Sequence, residues 1–207
     1  MYEYESALYD EGYRHIAGVD ESGRGPLAGP VMACAVILPK GLIIEGVKDS
    51  KQLSPKRREA LYEKILNDAV SYGIGVVGAD EIDRINILMA TMEAMRQAVA
   101  ALSPQPDAVI VDGNRLPDLP TGVCAKCIIK GDELCHTIAA ASIIAKVTRD
   151  HFMGDLHEKY PLYGFRQHKG YGTKQHVEAI RQHGVCAFHR KSFKVRALSH
   201  ESPSPFI

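Results

Sequence analysis

Two adjacent acids, Asp20 and Glu21, sit between an apolar lead-in and a glycine-rich turn in the stretch Ile16-Ala-Gly-Val-Asp-Glu-Ser-Gly-Arg-Gly-Pro-Leu-Ala-Gly-Pro30. A second apolar run, Val31 to Leu38, follows at once. Apolar run, turn and apolar run describe two neighbouring strands. Acids at the end of a strand, beside main chain with few side chains, suit a divalent cation and a phosphate. Hard cations take oxygen ligands, and glycine lets a ligand approach the backbone. A hairpin with an acidic turn has the same description, so the choice rests on the remainder of the chain.

Ser54 followed by Pro55 reads as a helix start. Leu61, Ile65, Leu66, Ala69 and Val70 share a face of that helix, which stops near Gly73. Residues 72–79 form a third strand. Residues 80–102 form a helix broken near Asn86, with Leu88, Met89, Met92, Met95, Val99 and Leu102 as its core stripe. Strands follow at 107–112 and 124–130, then a long helix over 134–152 buried through Ile138, Ala141, Ile144, Ala145 and Val147. This is an α/β chain. Residues 1–152 are expected to form this α/β core and 153–196 a shorter, more polar helical region packed on it, with one helix over 173–183. The Ser/Pro-rich residues 197–207 read as a loose tail.

Two further acids stand where strands leave the sheet, the usual ligand position in α/β proteins: Asp112 in Val109-Ile-Val-Asp-Gly-Asn114, and Asp132 in Lys130-Gly-Asp. Asp20, Glu21, Asp112 and Asp132 at one sheet edge would repel one another unless cations were present, which points to two divalent ions and phosphoryl displacement. Successive strand residues face opposite sides, so Asp20 and Glu21 share a site only where the strand ends or bends, or where Glu21 contributes its carbonyl.

The chain is neutral, with 25 basic and 25 acidic residues, but unevenly so. Residues 146–196 hold eleven Lys/Arg against four Asp/Glu, a +7 region balanced by −7 elsewhere. An acidic centre with a basic flank suits an enzyme acting on a polyanion; a mixed, solvated surface is the alternative. The acidic start Met1-Tyr-Glu-Tyr-Glu lacks the apolar core of a signal peptide. Five cysteines, an odd number, fit a reducing cytoplasm.

Taken together, Gly-Val-Asp20-Glu21-Ser-Gly23-Arg24-Gly25-Pro-Leu-Ala-Gly-Pro, Asp49-Ser-Lys51, Val-Asp112-Gly-Asn114, Lys-Gly-Asp132, Ala-Ala-Ala-Ser142-Ile-Ile-Ala-Lys146-Val-Thr-Arg149-Asp150 and Gly-Tyr171-Gly-Thr closely resemble bacterial type 2 ribonuclease H, the ribonuclease HII family. The resemblance runs in order from about residue 16 to 193. It implies a ribonuclease-H-like mixed five-stranded sheet flanked by helices, with a small helical C-terminal region and strands one and four side by side. It implies that Asp20, Glu21, Asp112 and Asp132 are the metal-binding catalytic quartet, served by Mg²⁺ or Mn²⁺. Gly23, Arg24 and Gly25 match the loop whose backbone senses the ribose 2′-hydroxyl, the group that separates RNA from DNA. Tyr171 matches the aromatic that packs on the neighbouring sugar; without the resemblance it is a turn tyrosine.

The expected reaction is hydrolysis 5′ of a ribonucleotide in RNA/DNA hybrids or duplex DNA, leaving 3′-hydroxyl and 5′-phosphate ends. Its expected partner is nucleic acid, with no membrane and no obligate protein partner, in a monomer. Ser142, Lys146 and Arg149 recur at helical spacing, as a solvated face or a phosphate-contacting ridge. Lys51, Asn114, Lys169, His189, Arg190 and Lys191 are further substrate contacts, and His168 is placed near phosphate. Another carboxylate nuclease of the superfamily and a non-catalytic nucleic-acid-binding module remain the rival readings. Gly73-Ile-Gly-Val-Val-Gly78 satisfies G-x-G-x-x-G but lies in a strand rather than before a helix, against dinucleotide binding. Cys124, Cys127, Cys135 and His136 suggest zinc, yet positions 124 and 127 fall on opposite faces of a strand.

Overall fold

A computed structural model describes residues 1–47 and 53–193. Lys51 and the 197–207 tail lie outside the described residues. The elements run α1 (Glu3–Asp10), β1 (Ile16–Ser22), β2 (Val31–Ile37), α2 (Pro55–Asp68), β3 (Ser71–Val77), α3 (Ala79–Ala100), β4 (Ala108–Asp112), β5 (Cys124–Ile128), α4 (Gly131–Leu134) and α5 (His136–Lys159). A 3₁₀ turn at Pro161–Tyr163 leads to α6 (Phe165–His168) and α7 (Lys174–His183). The five strands form one sheet in the order β3-β2-β1-β4-β5. β1 is antiparallel to β2 and parallel to β4, and β4 is parallel to β5. The sheet is therefore mixed, with the first and fourth strands adjacent as expected.

Alternation along the strands sorts the core. Ala17, Val19, Val109 and Val111 face α3 through Ala90, Ala94, Met95, Ala98 and Val99. Ile16, Ala108 and Ile110 meet Ile138 on the other face, and Cys34 and Val36 meet the middle of α5 and α2. Helix α5 is buried on every side from His136 to Ala145. Its first turn lies against β1 so closely that a β-carbon at Gly18 would fall 2.4 Å from the Thr137 carbonyl carbon.

The apolar stripe of α3 differs from the expected one. Met89 is 52% exposed, and the buried side is Ile82, Ala90, Thr91, Ala94, Met95, Ala98 and Val99. The reason lies in β3: β-carbons at Gly73 and Gly75 would sit 2.1 and 1.8 Å from the Ala98 and Ala94 carbonyl oxygens. The glycines of the G-x-G-x-x-G run let the alanine side of α3 close on the sheet and turn Met89 outward. Asn86 breaks the helix as expected, with φ 67°, and its side-chain oxygen accepts from the Leu88 and Met89 N–H groups to restart it.

Helix α1 has no counterpart in the sequence reading. It packs Leu8 beside Ile16 and Ile138. Its buried Glu5 accepts from the Thr137 N–H at 2.8 Å, capping α5 from outside. The C-terminal elements gather a smaller core of Met153, Leu156, Tyr163, Phe165, Ala179 and Ile180, tied to the main body through Ala28.

Candidate active site

The acids meet where β1 and β4 end. Val19 pairs with Val111 across the parallel ladder, so Asp20 and Asp112 follow as neighbours. Both fall on the α5 face by alternation, opposite Val19 and Val111. Asp20 is 5% exposed and accepts from the Glu21 N–H at 2.7 Å and from the Ser142 hydroxyl. Asp112 accepts from the Gly131 N–H at 2.6 Å, which sets the buried Asp132 beside it. Lys130, left-handed at φ 59°, makes the sharp entry into α4 that this requires. Glu21 leans toward Arg24, at 3.3 Å, yet still feels the charge of Asp112.

Burial, then the charges of Glu21 and Asp112, hold the Asp20 carboxyl well above the usual carboxylate range. Burial likewise raises Glu21, offset by Arg24 and reinforced by Asp112. Like charges crowded into a poorly solvated edge are relieved by a cation. Oxygen-only donors suit Mg²⁺, Mn²⁺ or Ca²⁺ rather than a soft metal. Among the described residues no three His, Cys, Asp or Glu side chains are drawn into a ready coordination shell; the acids turn instead to Ser142, Arg24 and main-chain N–H groups.

The loop after β1 is held from beneath by two arginines expected on phosphate. Arg149 is 0% exposed and donates to the carbonyls of Pro30, Ala28 and Lys169 at 3.0, 3.1 and 3.0 Å. Arg190 is 3% exposed and donates to those of Gly29, Arg24 and Gly23 at 3.0, 2.9 and 2.6 Å. Both are main-chain clamps rather than phosphate contacts, because all three guanidinium nitrogens of each donate to carbonyls and both side chains are buried. Gly23, at φ +99°, could not carry a side chain: its β-carbon would meet Arg149 Nε at 2.2 Å. Arg24 and Gly25 stay exposed above the clamps.

Tyr171 closes the site from the C-terminal side. It is 47% exposed, and its Cε1 would lie 3.6 Å from a β-carbon at Gly25. The Gly170 carbonyl accepts from the Leu27 N–H at 2.8 Å, joining the two loops.

The remaining expected contacts divide. Ser142 is buried on Asp20 and serves the acid rather than a phosphate. Lys146 pairs with Asp150 at 2.5 Å and keeps 24% of its side chain exposed; Asn114 is exposed just past Asp112. Lys169 Nζ donates to the Asp150 carbonyl, and the Lys191 N–H to Asp83. His168 and His189 are buried at 9% and 2% exposure among aromatic rings, not on the surface where a phosphate contact was expected. All five cysteines are free thiols, with Cys135 and Cys34 buried and Cys127 exposed. Glu133 is exposed.

A family model described as Ribonuclease HII matches residues 17–196. The chain belongs to the ribonuclease HII family. The Ribonuclease HII of Caldicellulosiruptor bescii is 50% identical over 198 residues, 96% of this chain and 95% of that one. That of Chlamydia caviae is 56% identical over 191 residues, covering 92% and 89%. The crystal structure of ribonuclease H2 from Pyrococcus horikoshii superposes with a TM-score of 0.73 at 31% identity, covering 87% of this chain and 94% of that one. As a ribonuclease HII the chain is a nuclease, a phosphodiester hydrolase of the ribonuclease H type that acts on nucleic acid. Among the described residues no helix is long and apolar enough to cross a membrane.

What sequence reading missed in this ribonuclease HII is a buried histidine group behind Tyr171. His168 and His176 stack at 4.5 Å, and His176 Nε2 lies 3.1 Å from His189 Nε2. Burial depresses all three, His176 to about 4. A histidine held below its ordinary 6.5 contributes stability that is complete above that pH and is lost as pH falls toward the folded value. Thermal melts should therefore show stability falling between pH 6.5 and about 4, and His176→Asn should flatten that fall. An unchanged slope in the variant would place the acid sensitivity elsewhere.

Proposed function

We infer that the chain cuts the phosphodiester on the 5′ side of a ribonucleotide, in RNA/DNA hybrids and at single ribonucleotides in duplex DNA, leaving 3′-hydroxyl and 5′-phosphate ends. One juxtaposition carries this reading: the exposed Tyr171 ring borders Gly25, three residues past the end of the strand that bears Asp20 and Glu21. A sugar edge presented to the Gly23–Gly25 backbone and packed on Tyr171 leaves its phosphate over the acids. The backbone there can approach a 2′-hydroxyl because Gly25 offers no side chain. Asp20, Glu21, Asp112 and Asp132 would hold two divalent cations, Mg²⁺ or Mn²⁺. Bound there, such ions supply an activated water and stabilise the leaving oxygen. Ser142 fixes the Asp20 carboxyl, and the Gly131 N–H fixes that of Asp112, so both acids are oriented before substrate arrives. Residues 153–193, with Tyr171 at their leading edge, form the substrate-binding half of this reading.

Incubation with a duplex carrying one ribonucleotide, in Mg²⁺, in Mn²⁺ and in chelator, tests it. A single cut 5′ of the ribonucleotide, lost in chelator, is expected. Equal cutting of the all-DNA duplex would overturn the assignment. Tyr171→Ala should slow that cut by about 5- to 160-fold, since one ring–nucleotide contact contributes ~1–3 kcal/mol. An unchanged rate removes the sugar-packing role.

A further inference from the structure

Two of the three buried histidines, His189 and His176, share a proton contact, and the order it imposes ends on the Tyr171 carbonyl. The Cys186 N–H donates to His189 Nδ1 at 2.9 Å, so Nδ1 is an acceptor and the neutral ring carries its proton on Nε2. That proton faces His176 Nε2 at 3.1 Å, which must accept it. His176 is left with its proton on Nδ1, and Nδ1 lies 3.0 Å from the Tyr171 carbonyl oxygen. His168 repeats the logic one residue earlier. Its Nδ1 accepts from the Gly170 N–H at 3.2 Å, so its Nε2 donates to the Tyr163 carbonyl at 2.6 Å. The two stacked rings thus hold the Gly170 N–H and the Tyr171 carbonyl, one on either side of the turn that presents the exposed phenol.

We propose that His176, ordered by His189, is a positioning residue for Tyr171: a one-directional hydrogen-bond relay from Cys186 to the Tyr171 carbonyl that fixes the ring beside Gly25. This rests on the sugar-packing role given to Tyr171 above. Within the turn, the Thr173 N–H also donates to the Tyr171 carbonyl at 2.8 Å, a bond that does not anchor the turn to the protein body.

Asparagine separates positioning from packing, because its side-chain amide occupies the place of Nδ1 and can still donate to the Tyr171 carbonyl while abandoning His189. Single-turnover cutting of a duplex with one ribonucleotide is compared for the parent, His176→Ala, His176→Asn, Tyr171→Ala and the His176→Ala/Tyr171→Ala double variant. His176→Ala is expected to slow the cut about as far as Tyr171→Ala does, His176→Asn to restore most of the rate, and the double variant to be no slower than Tyr171→Ala alone. Multiplying losses in the double variant, or His176→Asn as slow as His176→Ala, would overturn the proposal. If Tyr171→Ala itself cuts at the parental rate, the reading of Tyr171 fails, whatever His176 does. Should His176→Ala not fold, His189→Gln against His189→Leu asks the same question one link back, since glutamine keeps the donor to His176 and leucine does not; equal rates in that pair would count against the relay.

Discussion

Asp112→Asn and Asp20→Asn should each yield a folded protein that no longer cuts a ribonucleotide-containing duplex and that melts above the parent in chelator. Both halves of this result follow from the same crowding. Asparagine keeps an oxygen where Asp20 accepts from the Glu21 N–H and Ser142, and where Asp112 accepts from the Gly131 N–H. The local frame survives while a charge goes. That charge is the costly part: Asp20 is buried and repelled by Glu21 and Asp112. An acid whose folded pKa is raised destabilises the native state once pH exceeds its unfolded value. The gap in melting temperature between Asp20→Asn and the parent should therefore close as pH is lowered and Asp20 protonates. For a chain of this size each kcal/mol removed raises the midpoint by about 2–4 °C.

Adding Mg²⁺ or Mn²⁺ should reverse the order, because a ligand bound by the native state stabilises it by mass action and the variants lack part of the binding set. The loss of turnover should exceed the ~10–100-fold typical of removing a partner behind a metal ligand. Near-full turnover in either variant, or a parent whose midpoint ignores divalent cations, would remove that acid from the site.

Much of this site is legible in the chain because strand ends write themselves locally. A β-branched run closed by an acid and a glycine, as in Val109 to Gly113, gives both the strand and the place its carboxylate emerges. Register did the rest: the Val19–Val111 pairing brings Asp20 to Asp112 without any signal in either segment. The illegible parts are those whose partners are remote. Arg149 and Arg190 look like surface cations, since charged residues are seldom buried. The carbonyls that bury them lie 119 to 167 residues away for all but Lys169. His176 and His189 fail for the same reason, as scattered histidines whose mutual contact exists only once α7 has folded back. Helix α1 was invisible because it buries little more than Leu8 and Glu5, too few positions for a periodic signal.

Alanine at Arg149 or Arg190 should be the most damaging change outside the acids, and for a reason unrelated to phosphate. Each side chain is buried without a carboxylate beside it among its hydrogen-bond partners; each holds three carbonyls instead. Burial pushes Arg149 down to about 10, and burial with Arg149's charge pushes Arg190 down to about 9. Replacing a buried charge by an apolar residue is often harmless when its partner leaves with it. Here the partners are main chain and stay, and each abandoned buried carbonyl costs about 1–3 kcal/mol. Three such groups imply a loss of at least about 3 kcal/mol, or a midpoint lowered by roughly 6–12 °C.

The two arginines should nevertheless separate in function. Arg190 holds the Gly23 and Arg24 carbonyls themselves; Arg149 holds the far end of the loop and the Lys169 carbonyl behind Tyr171. Arg190→Lys keeps the charge but cannot reach three acceptors in a plane. It should therefore lose preference for the ribonucleotide-bearing duplex over all-DNA, measured as binding in Ca²⁺, while Arg149→Lys loses stability with that preference largely kept. Were Arg190→Lys to retain the full preference, the Gly23–Gly25 backbone would not be the part of the loop that reads the sugar.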